Sequence, residues 1–251
     1  MIRQNFNADW TVEKGDGNSR MNSFLGNTQT KTVHLPYDAM IHEARTPDTK
    51  NGAQTGFYPG GEYIFQKHFT APQAWQGKPV SLVFEGVYQT ALVYLNGWLL
   101  TRNVNGYAEF TVEAGPYLKY GADNLLKVIA DNSLEPNSRW YTGSGIYRPV
   151  RLLVGNKVYL PQDTVRITTR EADEGFALLD VTAQVQSAST VTERVTLQQT
   201  ICREGTAVLT DRQNLLLQPG ESRTVSFRYC VDSSALWSPE NPNLYTSTMQ
   251  V

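Results

Sequence analysis

The hydrophobic pattern changes character part-way along the chain. From about residue 158 onward, apolar and polar positions alternate with a period of two. Leu179, Val181, Ala183 and Val185 are separated by Asp180, Thr182 and Gln184; Val195, Leu197 and Ile201 keep the same phase, and Val225, Phe227, Tyr229 and Val231 repeat it. Rows of this kind describe strands with one dry and one wet face. About six or seven of them in about 95 residues predict an immunoglobulin-like sandwich of two sheets. Earlier in the chain the periodic runs are shorter: Val80 to Glu85, Ala91 to Leu95, Leu125 to Ala130 and Val150 to Val154. Turn signals such as Asn96-Gly97 and Asn105-Gly106 punctuate them. Asn96-Gly97, between Leu92-Val93-Tyr94-Leu95 and Trp98-Leu99-Leu100, predicts a two-residue hairpin, because a type I′ turn needs positive φ at both central residues. The pattern contains no long helix, and Asp38 to Arg45 has room for a turn or two at most.

Composition adds a boundary. Sixteen of the 19 glycines and all eight lysines lie at or before Lys157, which predicts two all-β domains, 1–157 and 158–251. The formal net charge of -2 leaves no basic stripe to neutralise a phosphate backbone, so neither nucleic acid nor an anionic membrane is an expected partner. No apolar run approaches the roughly 20 residues of a membrane span, and Met1 to Phe6 do not read as a leader peptide. Cytoplasm and periplasm both stay open as compartments. Two cysteines, Cys202 and Cys230, are too few for a disulfide scaffold. Both fall in the outward phase of their strands, where they read as free thiols unless the strands are neighbours.

The common catalytic signatures are missing. Gly143-Ser144-Gly145 is too short for a nucleophile elbow, no phosphate-cradling glycine loop occurs, and His34, His42 and His68 lack ligand spacing. Glu62, Glu85, Asp131 and Glu135 are scattered, and their spacing does not define an acid/base pair. What remains is a bunching of Trp and Tyr with Asn, Gly and Arg in two segments, Thr55 to Gly61 and Asn137 to Gly143. Such loops offer flat apolar faces to a sugar ring and fixed donors to its hydroxyls. The same residues also suit core or interface aromatics under a Gly-rich turn, and the residues alone leave both readings of Tyr58 and Trp140 open.

These segments carry a family resemblance. Leu35-Pro36-Tyr37-Asp38-Ala39, TGFYPGGEY at 55 to 63, FEGVYQTALVYLNG at 84 to 97, Gly106-Tyr107, RWYTGSGIYR at 139 to 148 and LWSPENPNLY at 236 to 245 appear in the order found in glycoside hydrolase family 2. The chain resembles that family of β-galactosidases, β-glucuronidases and β-mannosidases over nearly its whole length. The resemblance implies an N-terminal jelly-roll, galactose-binding-like domain followed by the immunoglobulin-like sandwich. It further implies that a catalytic (β/α)8 barrel belongs beyond Val251. A retaining glycosidase needs two carboxyl groups about 5 to 5.5 Å apart, and in the family both lie in that barrel. The chain is therefore expected to be an inactive amino-terminal fragment of an exo-β-glycosidase, most simply a β-galactosidase. A stand-alone carbohydrate-binding module is the alternative, and a β-glucuronidase or β-mannosidase fragment another.

In the β-galactosidases two loops of the first domain touch the sugar, and the matching loops here are Asn51 to Tyr58 and Asn137 to Trp140. The resemblance thus singles out Asn51, Thr55, Tyr58, Asn137, Ser138, Arg139 and Trp140 as substrate contacts. Asn137-Ser138-Arg139 stand where an acidic or amide side chain is common before the Trp, and Tyr37 and Ala39 replace a frequent His and Trp. Arg139 is expected to pair with a barrel carboxylate, with Asp131 or with Glu135. The implied partners are a terminal β-galactoside or related glycoside, the barrel, and a second copy of the protein through the sandwich. No cofactor is expected for this chain, although Mg or Na ions accompany the full-length galactosidases.

Overall fold

The structure, a computed structural model, describes residues 2–15, 30–134, 137–173 and 175–251; Glu135 lies outside them. The chain forms two compact units, Met1–Val154 and Gly155–Val251. In the first, the strands are β1 (Ile2–Asn5), β2 (Trp10–Lys14), β3 (Lys31–Val33), β4 (Gly61–Thr70), β5 (Val80–Phe84), β6 (Thr90–Leu95), β7 (Trp98–Asn103), β8 (Phe110–Glu113), β9 (Asp123–Asn132) and β10 (Val150–Val154). They build a six-stranded antiparallel sheet, β3-β2-β4-β9-β6-β7, and a four-stranded one, β1-β10-β5-β8. Between the sheets lies one core in which Trp10, Phe65, Leu82, Phe84, Leu126 and Leu152 are fully buried. This is the jelly-roll sandwich that the motifs led us to expect. Asn96 and Gly97 both have positive φ, 52° and 89°, and close the β6–β7 hairpin as their sequence predicts.

The alternation of β9 is informative at its ends. Asn124, Leu126, Val128, Ala130 and Asn132 form its buried row, so an amide stands at each end of an apolar stripe. Asn124 binds Asn96, Lys119 and Ala122 at one end of the sheet, and Asn132 ties loops together at the other. β4 escaped the sequence pattern because Lys67 occupies an inward position. Its ammonium donates to Ala8 O at 2.6 Å and lies 4.9 Å from the Phe6 ring centre, and burial lowers its pKa. Among the described residues the helical elements are four 3-10 turns, one of which, Met40–His42, falls in the segment Asp38 to Arg45.

The second unit contains β11 (Val158–Tyr159), β12 (Arg166–Asp173), β13 (Phe176–Ser187), β14 (Glu193–Arg203), β15 (Thr206–Leu217), β16 (Ser222–Asp232) and β17 (Tyr245–Gln250). β13 pairs with β11, β12 and β16 in one sheet, and β14 pairs with β15 and β17 in the other. This is the seven-stranded immunoglobulin-like sandwich. Val225, Tyr229 and Val231 point inward as read from the alternation, with Phe227 half-buried among them. Cys202 on β14 and Cys230 on β16 lie in different sheets, which excludes the cross-strand pairing, and both thiols are free. Gln199 takes the inward position between Leu197 and Ile201 and is fully buried. The apolar core divides there into one cluster around Leu197 and another around Ile201.

Candidate functional site

The two loops singled out by sequence meet at the end of the six-stranded sheet where β4 and β6 begin and β9 finishes, since Gly61 pairs with Asn132 and Thr90 with Asp131. Asn132 is the hub. Its amide donates to Ser144 Oγ at 2.6 Å and to Gly143 O at 3.1 Å, and its Oδ1 accepts from Asn137 Nδ2 at 2.5 Å. The Asn137 backbone N–H donates to Asn51 Oδ1 at 3.2 Å, joining residues 86 positions apart. Tyr88 completes the junction by donating its hydroxyl to Asn137 Oδ1 at 3.0 Å. Asn51 and Asn137 are therefore both half-buried ties between loops.

A second knot forms around Asp38. Its Oδ1 accepts from Met40 N at 3.0 Å and Ser144 N at 2.9 Å, while Oδ2 accepts from the Tyr141 hydroxyl at 2.6 Å. Three donors on one carboxylate fix its orientation. Burial first, and then the Asp38 carboxylate, raise the Tyr141 pKa far above that of a free phenol, so the hydroxyl stays a neutral donor. The Tyr141 ring meets Tyr58 edge-on at 5.3 Å, and the Arg45 guanidinium lies 5.8 Å from the Tyr58 ring centre while its Nε donates to Gly56 O. Asp38 thereby holds Tyr141 and Tyr58 against the same loop pair that Asn132 secures from below.

The seven expected contact residues take different places in this frame. Thr55 is 2% exposed and donates its hydroxyl to Tyr58 O at 3.1 Å, so it shapes its loop from within. Tyr58 is half-buried and packs on the core, and Ser138 Oγ donates to Trp140 O at 2.6 Å, a local clasp. Trp140 is 61% exposed, so it is not a core residue of its unit. Arg139 is exposed as well and makes no hydrogen bond or ion pair with any other described residue. Asp131, one partner considered for it, instead accepts from Ser133 N and Oγ.

Sequence reasoning missed Asp38, Tyr88, Asn132 and Tyr141 as parts of the site. Only Asn132 had a legible signal, a polar residue in the inward phase at the end of an apolar row. Two buried oxygens near these loops in sequence, Thr49 Oγ1 two residues before Asn51 and Gln89 Oε1 next to Tyr88, have no hydrogen-bond partner among the described residues. Of the other candidate carboxylates, Glu85 is paired to Arg151 and Glu62 is also engaged, while Glu135 lies outside the described residues. No cluster of three His, Cys, Asp or Glu suited to a metal occurs among the described residues. The arrangement offers an aromatic face, a free guanidinium and neutral hydroxyl and amide donors, which is recognition chemistry for a polyhydroxylated ligand.

Comparison with known proteins agrees with that chemistry. Residues 10–177 match the family model for the glycosyl hydrolase 2 galactose-binding domain-like fold, and residues 158–251 match that for glycosyl hydrolases family 2. The chain is 32% identical over 250 residues to the β-galactosidase BoGH2A of Bacteroides ovatus, covering 99% of this chain and 29% of that protein. It is 29% identical over 251 residues to a putative β-glucuronidase of Formosa agariphila, covering 100% of this chain and 23% of that one. A solved family 2 glycosyl hydrolase from Bacteroides cellulosilyticus superposes with a TM-score of 0.89 at 29% identity, over 99% of this chain and 33% of the other. The chain thus spans about a quarter to a third of the length of the relatives it matches. With both units matched and the order of motifs kept, the chain belongs to glycosyl hydrolase family 2.

Proposed function

We propose that the chain is the sugar-facing, non-catalytic part of a longer retaining exo-β-glycosidase, of β-galactosidase type, whose acid and nucleophile carboxylates lie elsewhere in that protein. The observation that carries this is the pose of Trp140: an indole 61% exposed, on a loop fastened through Asn137 to Asn51 and Asn132. A large apolar ring left in water adds little to folding, whereas a fixed ring beside hydroxyl donors orients a pyranose. Trp140 stacks on the sugar, Arg139 and the second lone pair of Asn137 Oδ1 serve its hydroxyls, and Thr55, Tyr58 and Ser138 keep the wall in place. In the full-length enzyme Trp140→Ala should lower kcat/KM for 4-nitrophenyl β-galactoside by about 10- to 100-fold at unchanged melting temperature. Unchanged kcat/KM in the folded variant would refute the sugar-facing role.

Arg139 supports a second reading. A guanidinium without a partner among the described residues suits a uronate carboxylate, which would make the substrate a β-glucuronide. Under that reading 4-nitrophenyl β-glucuronide is the better substrate and Arg139→Gln reverses the preference.

A further inference from the structure

The loop from Asn103 to Ala108 reaches the same end of the sheet as the sugar-facing loops, because Asn103 pairs with Ala91, next to Thr90 at the start of β6. Its own hydrogen bonds make it stiff. Asn103 Nδ2 donates to Asn105 O at 2.8 Å, and Asn105 Oδ1 accepts from Tyr107 N at 3.0 Å and Ala108 N at 3.2 Å. The Tyr147 hydroxyl donates to Gly106 O at 2.8 Å. A side chain at Gly106 would collide with the Tyr88 ring, so the glycine lets that ring lie directly on the loop backbone. Tyr107 meets Tyr88 edge-on with ring centres 5.4 Å apart.

These contacts are continuous with the site. Tyr107 leans on Tyr88, Tyr88 donates to Asn137, and Asn137 donates to Asn51. Burial first, and then the neighbouring Tyr107 phenol, push the Tyr88 pKa up to about 12, so its hydroxyl stays a neutral donor to Asn137 at neutral pH. Tyr107 itself is nevertheless 55% exposed. Its ring gives the fold little, yet the loop beneath it is tied at four points. A fixed, exposed aromatic ring loses little entropy when a ligand stacks on it.

We infer that Tyr107 is a second sugar-stacking position, and that the site takes a β-linked disaccharide or longer glycan, with one unit on Trp140 and the next on Tyr107. This rests on the sugar-facing reading of the Asn51 and Trp140 loops and extends it across Asn137 to a third loop. Asn137 links the two loops: it accepts from Tyr88, on which Tyr107 packs, and it lies three residues before Trp140.

The 251-residue chain can be titrated by amide-detected NMR with the methyl β-glycoside and the β-linked disaccharide of galactose and of glucuronic acid. The methyl glycoside should shift amides of Ser138 to Thr142 only, and the disaccharide should also shift Asn105 to Ala108. The disaccharide should bind about tenfold more tightly. Tyr107→Ala should remove that advantage and leave methyl glycoside binding as it was, whereas Tyr107→Phe should retain it. A disaccharide that moves the Trp140 loop but not Asn105 to Ala108, or that keeps its advantage in Tyr107→Ala, overturns the inference and leaves the first sugar position standing. If none of the four sugars moves the Trp140 loop, the underlying reading fails and the inference falls with it.

Discussion

Each unit carries a tryptophan with the same exposure, 61%, at Trp140 in the first and Trp237 in the second, yet their surroundings differ. Trp237 sits beside exposed Leu236 and Leu244 in a turn whose polar groups bind one another: Asn243 donates to Leu236 O, and Asn241 N donates to Ser238 Oγ. Trp140 follows Asn137 by three residues, on a loop that Asn137 ties to Asn51 and Tyr88, and its neighbour Tyr141 donates its hydroxyl to Asp38. Exposure alone therefore does not separate the two tryptophans; the long-range ties of the loop that carries Trp140 do. The buried amides of the two units differ in the same sense. Asn132 has every polar atom engaged and organises the site, whereas Gln199 buries an acceptor, Oε1, that has no partner among the described residues.

The largest effect that separates fold from site belongs to Phe65→Ala. Removing this fully buried ring should cost about 3 to 5 kcal/mol, seen in a denaturant titration as a fall in the midpoint of the first unit, with the amide protection of β13 to β16 unchanged. Asn132→Ala comes next. It strands Ser144 Oγ, Gly143 O and Asn137 Nδ2, and should cost about 2 to 3 kcal/mol while raising hydrogen exchange across residues 137 to 145. A variant as stable and as well protected as the parent would show that the loops do not depend on this amide.

Gln199→Met tests the opposite case. The amide donates to Ser247 Oγ at 2.8 Å and to Thr200 O at 3.2 Å, but Ser247 is exposed and can turn to water. Removing the unpaired acceptor and rejoining the two apolar clusters should stabilise the second unit by about 1 kcal/mol. A loss of similar size in thermal melting would mean that the amide holds β14 to β17.

The smallest effect is electrostatic. Hydrogen bonding to Arg228, followed by the charges of Arg228 and Arg170, lowers the Asp180 pKa below its ordinary value. A depressed carboxylate contributes stability that is complete above the ordinary carboxylate range and is lost as pH falls through the lowered pKa. Asp180→Asn should therefore flatten a slight acid-side slope in stability, and added salt should shrink the difference because the pair is on the surface.

What could be read in advance follows the same division. Val225 and Val231 were legible because a half-buried antiparallel strand imposes period two on its own sequence. β4 was not, because a snorkelling Lys67 breaks the row and its compensating contact, Ala8 O, is 59 residues away. The hairpin at Asn96-Gly97 is a local property and was visible. The site is a long-range one: Tyr141 finds Asp38 across 103 residues and Asn137 finds Asn51 across 86, and no spacing rule links such pairs. Motif resemblance located the loops but did not distinguish Thr55, turned inward, from Trp140, turned out.

The most direct test uses the five tryptophans as internal reporters. In an NMR titration of the chain with a β-galactoside and a β-glucuronide, the indole N–H signals of Trp98, Trp140 and Trp237, all more than half exposed, can be followed side by side. The account expects Trp140 alone to shift and saturate. A saturating shift at Trp237 or Trp98, or equal drift of all three, would contradict the assignment of the sugar to the loops around Asn137.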